Sequence, residues 1–195
     1  MYGRGNPPPV PRVLDLGTGS GCIALGLKKH LPRAEVHALD VSGPALEVAG
    51  ENARALGLEI HFHQADIHAP GGDWGSFDLL ISNPPYVPES DRAGMQRHVA
   101  EAEPALALFV PDVAPLCHYE SIARFARGHL QPGGMLFLEV YAALATEVCQ
   151  LLEGCGFEGI ALKKDIFGRD RFVRAGLSIS GKGPKADTSQ KKFRK

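Results

Sequence analysis

Apolar residues along this chain fall into short runs that alternate with stretches of helical spacing. Arg12–Leu16 has the character of a buried strand and runs directly into glycines. Residues 21–31 carry Ile23, Ala24 and Leu27 at helical spacing and stop before Pro32, and Glu35–Asp40 reads as a second strand. A second helix opens near Ser42 and Pro44, a cap and a first-turn residue, and closes at Gly57. Residues 60–65 follow as a third strand. Phe77–Ser82 is a fourth, apolar enough to be covered on both faces, and prolines end it.

Residues 90–112 read as a long, irregular, partly helical excursion of the kind kept for substrate contact. A helix over 119–130, a strand over 133–140 and a helix over 142–153 come next. Residues 159–164 and 171–177 are short strands joined by Asp165-Ile-Phe-Gly-Arg-Asp170, too short a link for a crossover helix, so they pair antiparallel. The pattern predicts an α/β fold: a doubly wound, mostly parallel seven-stranded sheet with a C-terminal antiparallel hairpin and ligands at the carboxyl ends of its strands. Residues 1–11 are an irregular lead-in, 12–177 the domain, and 178–195 a basic tail expected to be disordered.

Composition adds limits. The 195 residues, 44% of them hydrophobic, suffice for one domain with a substantial core. No apolar run approaches the roughly 20 residues that span a bilayer, and no signal peptide is visible, so a soluble, cytoplasmic monomer is expected. Cys22, Cys117, Cys149 and Cys155 form no C-x-x-C pair, and His61, His63 and His68 read as strand and loop histidines, so no metal is expected. The tail holds six Lys or Arg against Asp187, +5 in all, leaving −6 elsewhere. It is the one feature suited to nucleic acid.

Asp15-Leu-Gly-Thr-Gly-Ser-Gly21 places Gly17, Gly19 and Gly21 between strand and helix, where backbone must turn tightly and pass close to a ligand. Cys22 stands where the third glycine of a dinucleotide fingerprint belongs, which weakens a nicotinamide reading. Asp40 ends the second strand, placed to accept hydrogen bonds from both ribose hydroxyls of an adenosine moiety. Asp66, or its neighbour Ile67, can meet the adenine amino group beyond the third strand. A carboxylate-lined pocket attracts a cationic sulfonium. These residues resemble the class I S-adenosylmethionine methyltransferases, which implies that cofactor, with Thr18 and Val41 completing its contacts.

Asn83-Pro84-Pro85-Tyr86 is sharper, a coincidence on the order of once per thousand chains of this length. An amide or aromatic amine nitrogen has a delocalised lone pair, so a site must orient it rather than merely deprotonate it. The Asn83 side-chain oxygen can accept one N–H and the Pro84 carbonyl the other, while Tyr86 covers the planar acceptor. Such orientation recovers up to roughly 7–11 kcal/mol of barrier without a base of unusual pKa.

The tetrapeptide is shared by adenine-N6 and glutamine-N5 methyltransferases. Glu103-Pro104-Ala-Leu-Ala-Leu108 and Gly168-Arg-Asp-Arg171, with Asn52-Ala53, resemble the PrmC/HemK family, which methylates the Gly-Gly-Gln glutamine of peptide-chain release factors. The resemblance implies cofactor contacts at Gly17, Gly19, Asp40, Asp66 and Asn83, and acceptor contacts at Asn83, Pro84 and Tyr86. Glu103 and Pro104 would shape the acceptor wall. Two departures stand out. Members carry a helical amino-terminal domain, whereas Met1–Pro11 alone precedes the first strand, so the chain reads as catalytic domain only. They also have Glu-x-Gly where this chain has Glu139-Val140-Tyr141. An adenine methyltransferase, a ribosomal-protein glutamine methyltransferase and a non-catalytic subunit of the same fold remain the alternatives.

Overall fold

The computed structural model describes residues 9–94 and 108–178. Seven strands form one sheet in the order β3-β2-β1-β4-β7-β9-β8. They are β1 (Arg12–Leu16), β2 (Glu35–Asp40), β3 (His61–Gln64), β4 (Phe77–Ser82), β7 (Leu130–Glu139), β8 (Glu158–Lys164) and β9 (Asp170–Gly176). The first five run parallel, and β9 pairs antiparallel with both β7 and β8. This is the expected doubly wound sheet with its terminal hairpin.

Helices α1 (Cys22–His30) and α2 (Gly43–Leu56) cover one end of the sheet. Ser42 caps α2 by accepting from the Ala45 amide at 3.2 Å, and Gly57 stops it in the left-handed conformation, φ 64°. Helices α3 (Cys117–His129) and α4 (Ala145–Gly154) belong to the larger core, where Tyr119, Ile122, Phe125, Val148 and Leu152 pack with Leu14, Leu80, Leu136 and Val173. Each fully buried leucine or isoleucine there contributes roughly 1.5–3 kcal/mol.

Element limits shift where pairing overrides pattern. Strand β7 starts at Leu130 rather than 133 because Leu130 already pairs with Phe77. The register then slips, and pairing resumes at Met135 with Leu79. Gly134 sits in this irregularity with the Gln131 carbonyl 2.9 Å from where a Cβ would be, so any side chain there would force the backbone to shift. The helix expected over 142–153 opens as a 3-10 turn, Ala142–Leu144, before α4. The expected third strand is two residues shorter, His61–Gln64, leaving Asp66 in the turn beyond it.

Residues 65–76 join β3 to β4 without a helix. The sheet face beneath holds His37, whose Nδ1 is 2.9 Å from His63 Nε2 and whose Nε2 is 2.9 Å from Glu35 Oε1. Trp74 meets the His63 ring edge-on at 5.0 Å and Phe125 at 5.8 Å. The exposed His61 ring also lies 4.9 Å from His37, as His63 does at 5.2 Å, whereas His68 meets His118 instead.

Candidate active site

Register alone gathers the site. Leu16 pairs with Leu39 on one side and Ser82 on the other, and Ser82 pairs with Leu138. The next residue of each parallel strand is therefore Gly17, Asp40, Asn83 and Glu139, standing side by side at the sheet's carboxyl edge. Ser82 ties two of these ends by donating to the Leu16 carbonyl at 2.6 Å.

Asp15, fully buried, organises the loop that follows. Its Oδ2 accepts from Thr18 Oγ1 at 2.6 Å and from the Ala24 amide at 3.1 Å, while Oδ1 is buried without a partner. Burial pushes its pKa up to about 6, against the lowering effect of those hydrogen bonds. The Gly17 and Thr18 amides both donate to the Leu39 carbonyl, at 2.8 and 3.0 Å, which holds the turn against β2. Gly17 and Gly19 have φ of 72° and 56°, and a Cβ on either would meet nothing within 4 Å. Glycine there serves backbone conformation and leaves open space above the loop. Gly21 caps α1 at φ 87°, and its added Cβ would lie 3.1 Å from the Ala49 Cβ, so it also sets how closely α2 approaches.

Asp40 accepts from the Gly19 amide through Oδ2 at 2.7 Å and from the Ser42 amide through Oδ1 at 2.9 Å. Each oxygen keeps a lone pair for a further donor. Val41 beyond it is half exposed, at 51%. Asp66 is exposed and accepts from the His68 amide at 2.8 Å, and Ile67 packs partly buried against the main core. Asn52, on α2, donates to the Ser20 carbonyl at 3.0 Å and so braces the glycine loop from outside.

Asn83 is exposed, Pro84 buried, and Pro85 and Tyr86 half-buried. The Tyr86 hydroxyl donates to Glu139 Oε1 at 2.9 Å and receives Arg171 Nη1 at 3.4 Å. Arg171 also faces Asp165 Oδ2, 3.6 Å from its Nε. Burial first, then the Glu139 carboxylate, pushes the Tyr86 phenol up to about 12. It is a neutral hydroxyl at any working pH and no base. Tyr141 fills the place where the resembled family has glycine: its ring stacks on Tyr86 at 6.0 Å and 14°, and its hydroxyl donates to Asp91 at 2.6 Å.

Beyond Tyr86 the chain forms a two-residue strand, β5 (Val87–Pro88), and a 3-10 turn, Glu89–Gly94. Its return, β6 (Phe109–Val110), pairs parallel with β5, and Asp112 accepts from the Ser90 amide at 3.0 Å. Both ends of the excursion are thereby clasped. Glu103 and Pro104 lie outside the described residues. Glu139, Arg171, Tyr141 and Asp165 were not singled out as site residues by pattern; the ending of a parallel strand at Glu139 was the available signal for the first.

The model for the methyltransferase small domain matches residues 7–108. The chain belongs to the methyltransferase small domain family. A release factor glutamine methyltransferase of Bacteroides thetaiotaomicron is 43% identical over 169 residues, covering 86% of this chain and 61% of that protein. Its counterpart in Chlorobaculum tepidum is 46% identical over 166 residues, covering 83% and 55%. This member of the family thus spans less than two thirds of the length of these relatives. A crystal structure of a methyltransferase from Pyrococcus furiosus shares the fold, with a TM-score of 0.63 at 19% identity over 87% of this chain and 76% of that one.

Proposed function

We propose that this chain is the catalytic domain of an S-adenosylmethionine-dependent methyltransferase that modifies the side-chain amide nitrogen, N5, of a glutamine in peptide-chain release factors. The observation that carries the reading is the row Asp40, Gly17, Asn83 and Glu139 on adjacent strands. It sets a glycine loop and a ribose-type acid directly beside Asn83-Pro84-Pro85-Tyr86. The two relatives named release factor glutamine methyltransferase favour that acceptor.

The residues suit the cofactor. Open space lies over Gly17 and Gly19, Asp40 has acceptor capacity to spare, and the orphaned Asp15 Oδ1 is an anionic oxygen at the loop's root. Gly17, Thr18, Gly19 and Gly21 would cradle the methionine end, Asp40 and Val41 the ribose, Asp66 and Ile67 the adenine. When bound, S-adenosylmethionine supplies an electrophilic methyl group. The rest is done by this chain. Asn83 accepts one N–H of the acceptor amide and Pro84 the other, which fixes the plane and the direction of the nitrogen. Pro85 and Tyr86 wall that plane, Tyr86 being held by Glu139 and Arg171. The Glu139 carboxylate is engaged by Tyr86 and Arg171, and the product proton leaves to water. Glu103 and Pro104 are proposed for the acceptor wall by resemblance alone.

The test is transfer of tritiated methyl, with a folded release factor, a ribosomal protein and adenine-containing DNA offered in parallel and Asn83→Ala as control. Label on the release-factor glutamine that vanishes in the variant supports the reading. Label on DNA, or none despite cofactor binding, overturns it. Among the described residues no helix is long and apolar enough to cross a membrane.

A further inference from the structure

The turn that leaves β3 meets the first turn of α3. There His68, Cys117 and His118 each offer one ligand atom, all within 4.8 Å of one another. The two imidazole rings lie 4.7 Å apart, and Cys117 Sγ is 3.4 Å from His118 Nδ1. His68 Nδ1 is held by Ser121 Oγ at 2.8 Å, with Ser121 itself buried. That contact engages one ring nitrogen and leaves Nε2 for a ligand, the arrangement in which metal-binding histidines are oriented by a second-layer partner. The Asp66 carboxylate acts on His118 electrostatically and adds attraction for a cation.

Two imidazoles and a thiol are the donor set of borderline, thiophilic divalent ions. Tetrahedral Zn2+ with bonds of about 2.0–2.1 Å to nitrogen and 2.3 Å to sulfur needs donors roughly 3.3–3.7 Å apart. Where the donors are as much as 4.8 Å apart they must close by about 1 Å, a movement within the range of side-chain rotation. We propose that His68, Cys117 and His118 form a three-donor site for a thiophilic divalent ion, with water in the fourth position, that staples the turn after β3 to the start of α3. Binding breaks the Cys117 S–H bond, forms a sulfur–metal bond and releases the proton to solvent. None of the three ligands is assigned to methyl transfer; Asp66, proposed for the adenine, only lends charge and accepts from the His68 amide at 2.8 Å.

Co2+ is the probe. Titrated into the reduced full chain, it should bind one to one and give a thiolate-to-cobalt charge-transfer band in the near ultraviolet. Cys117→Ser should abolish the band, whereas Cys22→Ser should leave it intact. His68→Ala, at an exposed position, should weaken binding without endangering the fold, and Ser121→Ala should cost roughly ten- to a hundredfold in affinity. Zn2+ at a hundred times its Kd should raise Tm by roughly 5–10 °C in the wild type and not in Cys117→Ser. Absence of the band, or its survival in Cys117→Ser, overturns the proposal.

Discussion

Tyr86 and Glu139 share a hydrogen bond of 2.9 Å although 53 residues separate them in sequence. The bond joins the Asn83–Tyr86 tetrapeptide to the end of β7, and Arg171 on β9 closes the triangle. Replacing Glu139 by Gln keeps an acceptor for the phenol, and near-normal stability is expected. Glu139→Ala leaves both Tyr86 and Arg171 short of a partner and should cost about 1–3 kcal/mol in urea unfolding. Its kcat should also fall by more than tenfold as Tyr86 loses its fixed position. Equal behaviour of the two variants would remove the triangle's role.

Asn83 is exposed at the carboxyl end of β4, so its truncation opens no cavity. Asn83→Ala should leave Tm within a degree or two while lowering kcat by roughly a hundred- to a thousandfold, the scale for removing an orienting polar group at a reacting centre. The Kd for S-adenosylmethionine, measured by calorimetry, should change less than tenfold. A large loss of cofactor affinity with kcat preserved would place Asn83 on the wrong side of the reaction.

Asp40 receives amide donors at both oxygens. Asp40→Asn turns one oxygen into a donor facing a donor, and it removes the charge. Cofactor affinity should drop by roughly ten- to a hundredfold, equivalent to about 1.4–2.8 kcal/mol, with kcat at saturating cofactor nearly unchanged. An unaltered Kd would exclude the ribose-type role.

The arrangement at the carboxyl edge was largely readable beforehand, and for a physical reason. Arg12–Leu16, Glu35–Asp40 and Phe77–Ser82 have the limits their patterns suggested, because buried parallel strands are largely apolar, the first ending at Gly17, the third before Pro84 and the second just before the Ser42 cap. Ser42 and Gly57 likewise act locally. The Tyr86–Glu139–Arg171 triangle, the His37–His63 contact and the β5–β6 pairing were not readable. Each depends on register between distant segments, and two-residue strands are too short to carry a period.

Asp15 gives a pH signature. Burial raises its pKa from 3.8 to about 6, so the native state holds this proton more tightly than the unfolded chain. Its stabilising contribution is complete below about 4 and is lost as pH rises through about 6. Asp15→Asn, which cannot titrate, should therefore gain on the wild type by roughly 2 kcal/mol between pH 4 and pH 7 in denaturant titrations. A pH-independent difference would mean that Asp15 is ionised throughout.

Gly134→Ala should destabilise the fold by about 1–3 kcal/mol, since the new methyl would press on the Leu130 side chain at 3.1 Å and on backbone carbonyls of Gln131 and Asp78 at 2.9 and 3.2 Å, and the carbonyls cannot swing aside. Thermal unfolding measures this directly, and a neutral outcome would mean that β7 can shift its bulge.

The β5–β6 clasp has an evolutionary consequence. By joining Val87 to Phe109 and Pro88 to Val110, it turns the intervening chain into a closed loop whose ends are held by the scaffold. The entropy of closing such a loop grows only logarithmically, about 0.6 kcal/mol for each doubling of length. Changes of length between the two short strands thus cost the sheet little in closure entropy, and the scaffold tolerates them.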